Sequence, residues 1–379
     1  MRLNQFKAIR FGQQHWDSGI LTSLHNPYGP ARVPNTERIM EFIRSQVSGG
    51  TAKIDSTASL YVIKSNVNTR EITLIIGEIE YDDRVVFCQT EEAHSKKLDT
   101  YKRIFDRYKM QVNPILTFYN DARPATEIVG RFVTGPPDTM ITVDGTNYRL
   151  WKISNPADIT YVKNEISSVK KLYVSDGNHR FLMFNEHSHK LNAKIMVAVT
   201  DIDSVVLKSF HRVVIGPLQN DWTERLSHDF IIRPITGLAQ DVLLSGSPGN
   251  LSADHTSDSE ILFVLNTMDV YGITPRRRDI TIPIYDIVMA HIIRDALGIA
   301  EDRVFSIPGN LDITDAQKIF DLYDRGTAIA FVPNVRMANF LRIVDSGWKL
   351  PPTSTWIEPK IIDGFLIRHF QSSHSPTKF

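Results

Sequence analysis

The sequence predicts an α/β fold built on a mixed sheet, and three observations carry that expectation. Runs of β-branched and aromatic residues alternate with amphipathic helical stretches along the whole chain. One junction, YVSDGNHRFLMFNEH over residues 173–187, passes from strand letters through a glycine turn into helix letters. And 379 residues with 42% apolar composition suffice to bury a sizeable core in two domains or one elaborated one. No internal repeat argues for a solenoid or propeller instead.

NTERIMEFIRSQVSGG reads as the first helix, capped by Asn35 or Thr36, with Ile39, Met40, Ile43 and Val47 on one face and Gly49-Gly50 as its stop. SLYVIKS, EITLIIGEIEYD and RVVFCQ follow as strands, with Asp82-Asp83 as a turn between the last two. HSKKLDTYKRIFDRYKM is a charged helix and NPILTFYND a buried strand. TVDGTNYRLWKI is a hairpin turning at Asp144-Gly145, and ADITYVKNEISSVK a helix leading into the junction. Beyond it, KIMVAVTDID and VVLKSFHRVV read as strands, and LLSGSPGNLSADHTSDSE as a long surface loop. The remainder is a strand ILFVLN, a basic turn TPRRRD, a helix IYDIVMAHIIRDALG ended by Gly298, a strand TAIAFVP, and a helix VRMANFLRIVDSG ended by Gly347. Arg276 to Arg278 beside a proline read as a solvated turn.

Composition excludes several functions. Lys plus Arg and Asp plus Glu both number 43, so no overall positive field holds a nucleic acid or an anionic membrane. A single cysteine, Cys88, precludes an intramolecular disulfide and fits a reducing compartment. The opening MRLNQFKAIRFGQQHWD has no apolar run of signal-peptide length, and no stretch approaches the ~20 apolar residues of a bilayer helix. A cytoplasmic protein is the expectation. Walker A and protein-kinase glycine loops and Cys/His zinc spacings are absent.

At the junction, a strand ends at Asp176-Gly177, and a helix begins at Asn178. Unpaired N–H groups and the aligned peptide dipoles of such a terminus favour an anion. Gly177 permits a tight turn and close approach, Arg180 can clamp oxygens in a fork, and His179 can donate from its ring. Asp176 is the odd member: a carboxylate facing an anion implies an intervening Mg²⁺ or an acid/base role. The same letters also compose an ordinary Asp-Gly turn with an Asn helix cap.

The strand–DGNHR–helix unit is similar to the signature of the ParB/sulfiredoxin-like superfamily, in which free-serine kinases carry DGHHR. More widely, the chain resembles the family of unknown function numbered 1015, within which serine-kinase activity has been described. FKAIRFG looks like that family's opening, LIIGEIEYDDRVV its central strand pair, and VNPILTFYND its SPI-type strand. LYVSDGNHRF looks like its YIADGHHRY, FHRVV its THRLV, and the stretch closing in PPTSTWIEPK and GFLI its ending. Departures are Asn178 for the first histidine of DGHHR, Thr353 for the lysine of PPKST, Phe210 for the threonine before His211, and Gly29 for the aspartate of PPYDV. The HE-x-T motif is blurred into CQTEEAHSKK, where Glu91 is the best match for its glutamate, with Glu92 close behind.

The resemblance implies a ParB/sulfiredoxin-like mixed-sheet domain over residues 1–215 and a second α/β domain over 216–379, whose end at 350–368 returns to the site. It implies phosphoryl transfer from ATP, ADP or pyrophosphate, with Mg²⁺, to the hydroxyl of free L-serine or a related amino acid. Glu91 would take the hydroxyl proton, Asp176 would orient the hydroxyl or hold the metal, and His179 would assist. Gly177, Asn178 and Arg180 would cradle phosphate, His211 and Arg212 would form a second cationic wall, and Ser354, Thr355 and Lys360 would complete the substrate pocket. The partner is then a small molecule; no nucleic acid and no membrane are expected, and self-association is left open. The rival reading is a non-catalytic nucleotide or amino-acid sensor of the same fold. Sulfiredoxin-type redox chemistry is excluded, because Asn178 stands where the signature needs a cysteine. A DNA-binding switch lacks a basic recognition helix.

Overall fold

The computed structural model describes residues 1–17, 36–67, 70–80, 86–92, 95–143, 145–191, 194–245, 260–276, 287–309, 311–323, 326–350 and 353–370. The chain forms two compact units: Met1–Val206 with Ile357–Phe379, and Leu207–Trp356. The expected division after residue 215 therefore differs from the observed one at both ends. His211–Ile215 is an inner strand of the second unit's sheet, and the chain end belongs to the first unit.

The first unit is a mixed sheet. From one edge its strands run Val86–Gln89, Lys171–Asp176, Ile115–Tyr119, Ile195–Asp201, Arg70–Ile79, Leu60–Val67, Thr146–Ile153 and Thr139–Val143, and Leu3–Asn4 adds to Arg70–Ile79. Two pairs are parallel, Lys171–Asp176 on Val86–Gln89 and Ile195–Asp201 on Ile115–Tyr119. The other pairs are antiparallel. Both faces are covered, which is why strands such as ILTFY read as continuous apolar runs instead of alternating. Along Leu60–Val67, Leu60 and Val62 join a core with Phe105, Val162, Phe181 and Phe184 from the helices Ser95–Tyr108, Pro156–Ile166 and Asn178–Leu191. Tyr61 and Ile63 face the opposite core, shared with Met40, Ile43 and Val47 of the helix Thr36–Ser48.

Ile361, Ile362, Phe365, Leu366 and Ile367 lie in that second core as well. Main-chain bonds fix the returning segment: Ile9 and Ile367 exchange N–H···O bonds, and the Gly364 N–H donates to the Val112 carbonyl. A buried Arg10–Asp55 pair at 2.6 Å and the Tyr61 hydroxyl, 2.8 Å from Asp55 Oδ2, tie the opening strand to the same face.

In the second unit the sheet is antiparallel throughout, in the order Phe230–Ile235, Val270–Pro275, Ile261–Leu265, Gly326–Phe331, His211–Ile215, Val304–Ile307. Val270–Pro275 was not among the expected strands. Its hairpin with Ile261–Leu265 turns through Met268 at φ 67°, and a methionine gives none of the Asn-Gly or Asp-Gly signal that marks such a turn. VVLKSFHRVV is two strands, Val206–Ser209 and His211–Ile215, broken at Phe210. The expected helix after the basic turn runs over Ile287–Ala296. The HNPYGPARVP segment with Gly29, the turns at Asp82-Asp83 and Asp144, Arg277 and Arg278, most of the loose loop, and Pro351-Pro352 lie outside the described residues.

Candidate active site

Strand Lys171–Asp176 ends at the turn, Gly177 takes φ +94°, and the 14-residue helix Asn178–Leu191 starts with the Phe181 N–H donating 2.7 Å to the Gly177 carbonyl. Positive φ is one reason for glycine here. Space is the other, because a Cβ at Gly177 would lie 2.9 Å from Arg180 Nη2. The Arg180 guanidinium therefore folds back over the turn. Its Nη1 donates to the Asn113 carbonyl at 2.7 Å and the Pro114 carbonyl at 3.3 Å, and its Nη2 donates to Asp176 Oδ2 at 2.9 Å.

A second cation reaches Asp176 from 184 residues away in sequence, with Lys360 Nζ 2.8 Å from Oδ1. The buried Ile361 and Ile362 hold the lysine's stretch of chain, and Asn113 Nδ2 donates to the Ile361 carbonyl at 3.2 Å. Asn113 also donates to Asp363 Oδ1, so one asparagine ties both cation-bearing segments to the strand entry at Ile115. Burial alone would raise the Asp176 pKa, but the charges of Lys360 and Arg180 outweigh it and hold the carboxyl at about 2. Asp176 is thus an anion at any physiological pH, clamped between two cations at the mouth of a helix N-terminus.

Asn178 is buried and paired with Thr90: its Oδ1 accepts from the Thr90 N–H at 3.3 Å and its Nδ2 donates to Thr90 Oγ1 at 3.3 Å. The Thr90 hydroxyl donates 2.6 Å to the Val174 carbonyl. Glu91, buried, follows directly, and its carbonyl accepts from Gln89 Nε2 at 2.6 Å. The Asn178 side chain is therefore spent on fixing the strand end that carries Glu91. His179 lies beside Tyr101, ring centroids 6.3 Å apart.

No group of three or more His, Cys, Asp or Glu side chains able to hold a metal occurs among the described residues. Both Asp176 oxygens already meet cationic side chains. The expected Mg²⁺ on Asp176 does not fit this donor set.

His211, Arg212, Ser354 and Thr355 belong to the second unit. The expected cationic role of His211 is corrected by its surroundings. Its Nδ1 accepts from the Val332 N–H at 3.0 Å, so the proton sits on Nε2, which faces the Leu311 carbonyl at 3.0 Å. Burial pushes its pKa down to about 4, and the ring is neutral at pH 7. Arg212, also buried, donates to the His211 carbonyl at 2.9 Å and the Thr353 carbonyl at 2.7 Å. Ser354 and Thr355 are buried, and the Ser354 carbonyl accepts from the Phe210 N–H at 3.2 Å.

A pH dependence of stability follows from His211. Unfolded, the ring takes up a proton near pH 6.5, whereas folded it resists until about 4, so the unfolded state binds more protons across that window. Stability is expected to fall as pH drops from about 6.5 to about 4, by roughly 3 kcal/mol from this residue. Asp176, with a depressed pKa, adds a separate loss only below about pH 4. Urea unfolding at pH 7 and pH 4.5 checks this: the slope should flatten in His211→Gln, and an equal slope in both proteins would assign it elsewhere.

Tyr101, Asn113, Asp363 and Thr90 were not among the expected site residues. Asn113 sits inside the VNPILTFYND segment already singled out, but nothing in its letters shows that it would tie Arg180 to the chain end.

A family model described as "Protein of unknown function (DUF1015)" matches residues 22–297. Among solved structures, a mutant of a free serine kinase in complex with AMP is similar at 13% identity and a TM-score of 0.39, over 77% of this chain and 90% of that one. SbnI with C-terminal truncation, from Staphylococcus aureus, is 13% identical with a TM-score of 0.36, over 75% of this chain and 82% of that one. A conserved hypothetical protein from Pyrococcus furiosus is 12% identical with a TM-score of 0.36, over 76% and 93%. None of the curated proteins matches the chain. No helix among the described residues is long and apolar enough to cross a membrane.

Proposed function

Because this chain belongs to the DUF1015 family, we propose that it is a small-molecule kinase, moving a phosphoryl group from a nucleotide or pyrophosphate to the hydroxyl of free L-serine or a related amino acid. The observation that supports this most is the convergence of Lys360 and Arg180 on Asp176 at the start of a long helix. Phosphoryl transfer needs little covalent help from a protein and much charge neutralisation and positioning. Two cations and a helix N-terminus supply the first.

In the reaction, the acceptor O–H loses its proton to the Glu91 carboxylate as the new O–P bond forms. The bond from that phosphorus to the bridging oxygen breaks, and its electron pair leaves with ADP, AMP or phosphate according to the donor. Asp176 is a positioning residue in this scheme: it holds both cations where an incoming phosphate meets them. Asn178 and Thr90 position Glu91. Arg212, Ser354 and Thr355 carry no step. The same notch on a protein without turnover would make a sensor.

Equilibrium titration with pyrophosphate and with ADP tests the anion site. Both should bind, more weakly as ionic strength rises, and Lys360→Ala should weaken each by about tenfold through loss of a charge-assisted contact. Affinity that ignores Lys360 would remove the notch from the site.

A further inference from the structure

Tyr101 lies on the helix Ser95–Tyr108, with its ring beside His179 of the turn. Four and seven residues on, Phe105 and Tyr108 are buried, Phe105 packing edge-on against Phe184 with centroids 5.0 Å apart. Tyr101 therefore lies on the stripe of its helix that faces the protein interior. Yet it stays 37% exposed, one of few large hydrophobic side chains to do so among the described residues. The stripe runs past the end of the core and out over the DGNHR turn, where the ring meets His179 at 6.3 Å with 37° between planes. Such a pair is open and tilted, not a closed stack. The phenol end is desolvated, which raises its pKa, and it lies within the fields of Arg180, Asp363 and Asp176. One ring thus lies beside His179 of the turn with part of its surface in solvent.

We infer that Tyr101, with His179 beside it, is the stacking surface for the planar base of a nucleotide whose phosphates enter the Lys360–Arg180 notch. The inference rests on the phosphotransferase reading and narrows it, selecting a nucleotide over pyrophosphate as donor. Aromatic faces accept any base, so they confer preference for a nucleotide over inorganic phosphates rather than for one base over another. The neighbouring groups suit this arrangement: the cations hold the anionic part of the ligand, while the Tyr101–His179 surface offers little to a ligand lacking a ring.

Calorimetric titration of the full chain with ADP and with pyrophosphate tests it. The wild type should bind ADP the more tightly. Tyr101→Ala should weaken ADP by about 5- to 100-fold while pyrophosphate changes by less than about twofold. Tyr101→Phe, which keeps the aromatic face, should stay within about threefold of wild type for ADP. A cooperative urea transition in each variant establishes that it is folded. Equal losses for both ligands in Tyr101→Ala, unchanged ADP affinity, or a wild type that prefers pyrophosphate would each overturn the stacking role. In the last case the phosphotransferase reading survives; a wild type that binds neither ligand overturns both.

Discussion

Glu91→Gln is expected to lower turnover by about 10²–10⁴ while donor affinity changes by less than about twofold. The substitution keeps the shape and the hydrogen-bonding reach of the side chain but removes its capacity to accept the hydroxyl proton. Glu91 is buried and follows Thr90, whose backbone N–H and hydroxyl are both held by Asn178. Its backbone is therefore anchored to the helix that opens at the notch, and an amide of the same volume should disturb neither. Steady-state kinetics together with ADP titration separate the possibilities. A rise in KM with unchanged kcat would make Glu91 a binding residue, and a loss matched by weaker ADP binding would show that the notch had collapsed. Asn178→Ala offers the complementary case, since it loosens the Thr90 anchor while leaving the carboxylate.

Arg180→Ala should weaken donor binding by about 10- to 100-fold, from the loss of charge-assisted hydrogen bonds worth roughly 1.5–3 kcal/mol. It should also destabilise the fold by about 1–3 kcal/mol, because the carbonyls of Asn113 and Pro114 lose a donor and Asp176 loses one of its two cations. Two readouts are needed, a titration with ADP and a urea midpoint. Arg180→Lys separates the charge from the fork: an ammonium restores a cation near Asp176 but cannot serve Asp176 and the two carbonyls in one planar geometry. It should recover part of the affinity and little of the stability. A variant with full donor affinity would show that Arg180 only braces the turn.

Much of the first unit was legible because its strands are buried on both faces. ILTFY and IMVAVTD are near-continuous β-favouring runs of four or more apolar letters, too short for helices, and each is a strand of the mixed sheet. The strand-to-helix junction was legible for a different reason, since Asp-Gly is a turn by local chemistry; the Asn178 cap was not, because Gly177 holds the cap position and Asn178 opens the helix itself. What that chemistry could not show is where each side chain goes. The Asn178 side chain bonds Thr90, a residue 88 positions earlier, which no neighbouring letter announces. His211 and Arg212 looked like a pair of cations, yet the histidine's neutrality depends on partners at Leu311 and Val332, far along the chain. Lys360 was named from resemblance alone; its meeting with Asp176 depends on the apolar segment around Ile361 and Ile362 joining the first unit's core. Tyr101 was hidden inside a helix whose Lys, Arg and Asp residues make it read as a solvated surface element. Its exposure becomes informative only once Phe105 and Tyr108 show which face points inward.

Phosphorus NMR of the purified protein, incubated with ATP, ADP or pyrophosphate, with and without Mg²⁺, and with a panel of hydroxy amino acids including L-serine, measures the central claim directly. The account predicts a new phosphomonoester resonance that needs both a phosphate donor, nucleotide or pyrophosphate, and one hydroxy amino acid, and that disappears in Glu91→Gln. Donor binding in the absence of any new phosphomonoester across the whole panel would contradict it, and would leave the Lys360–Arg180 notch as the binding site of a sensor.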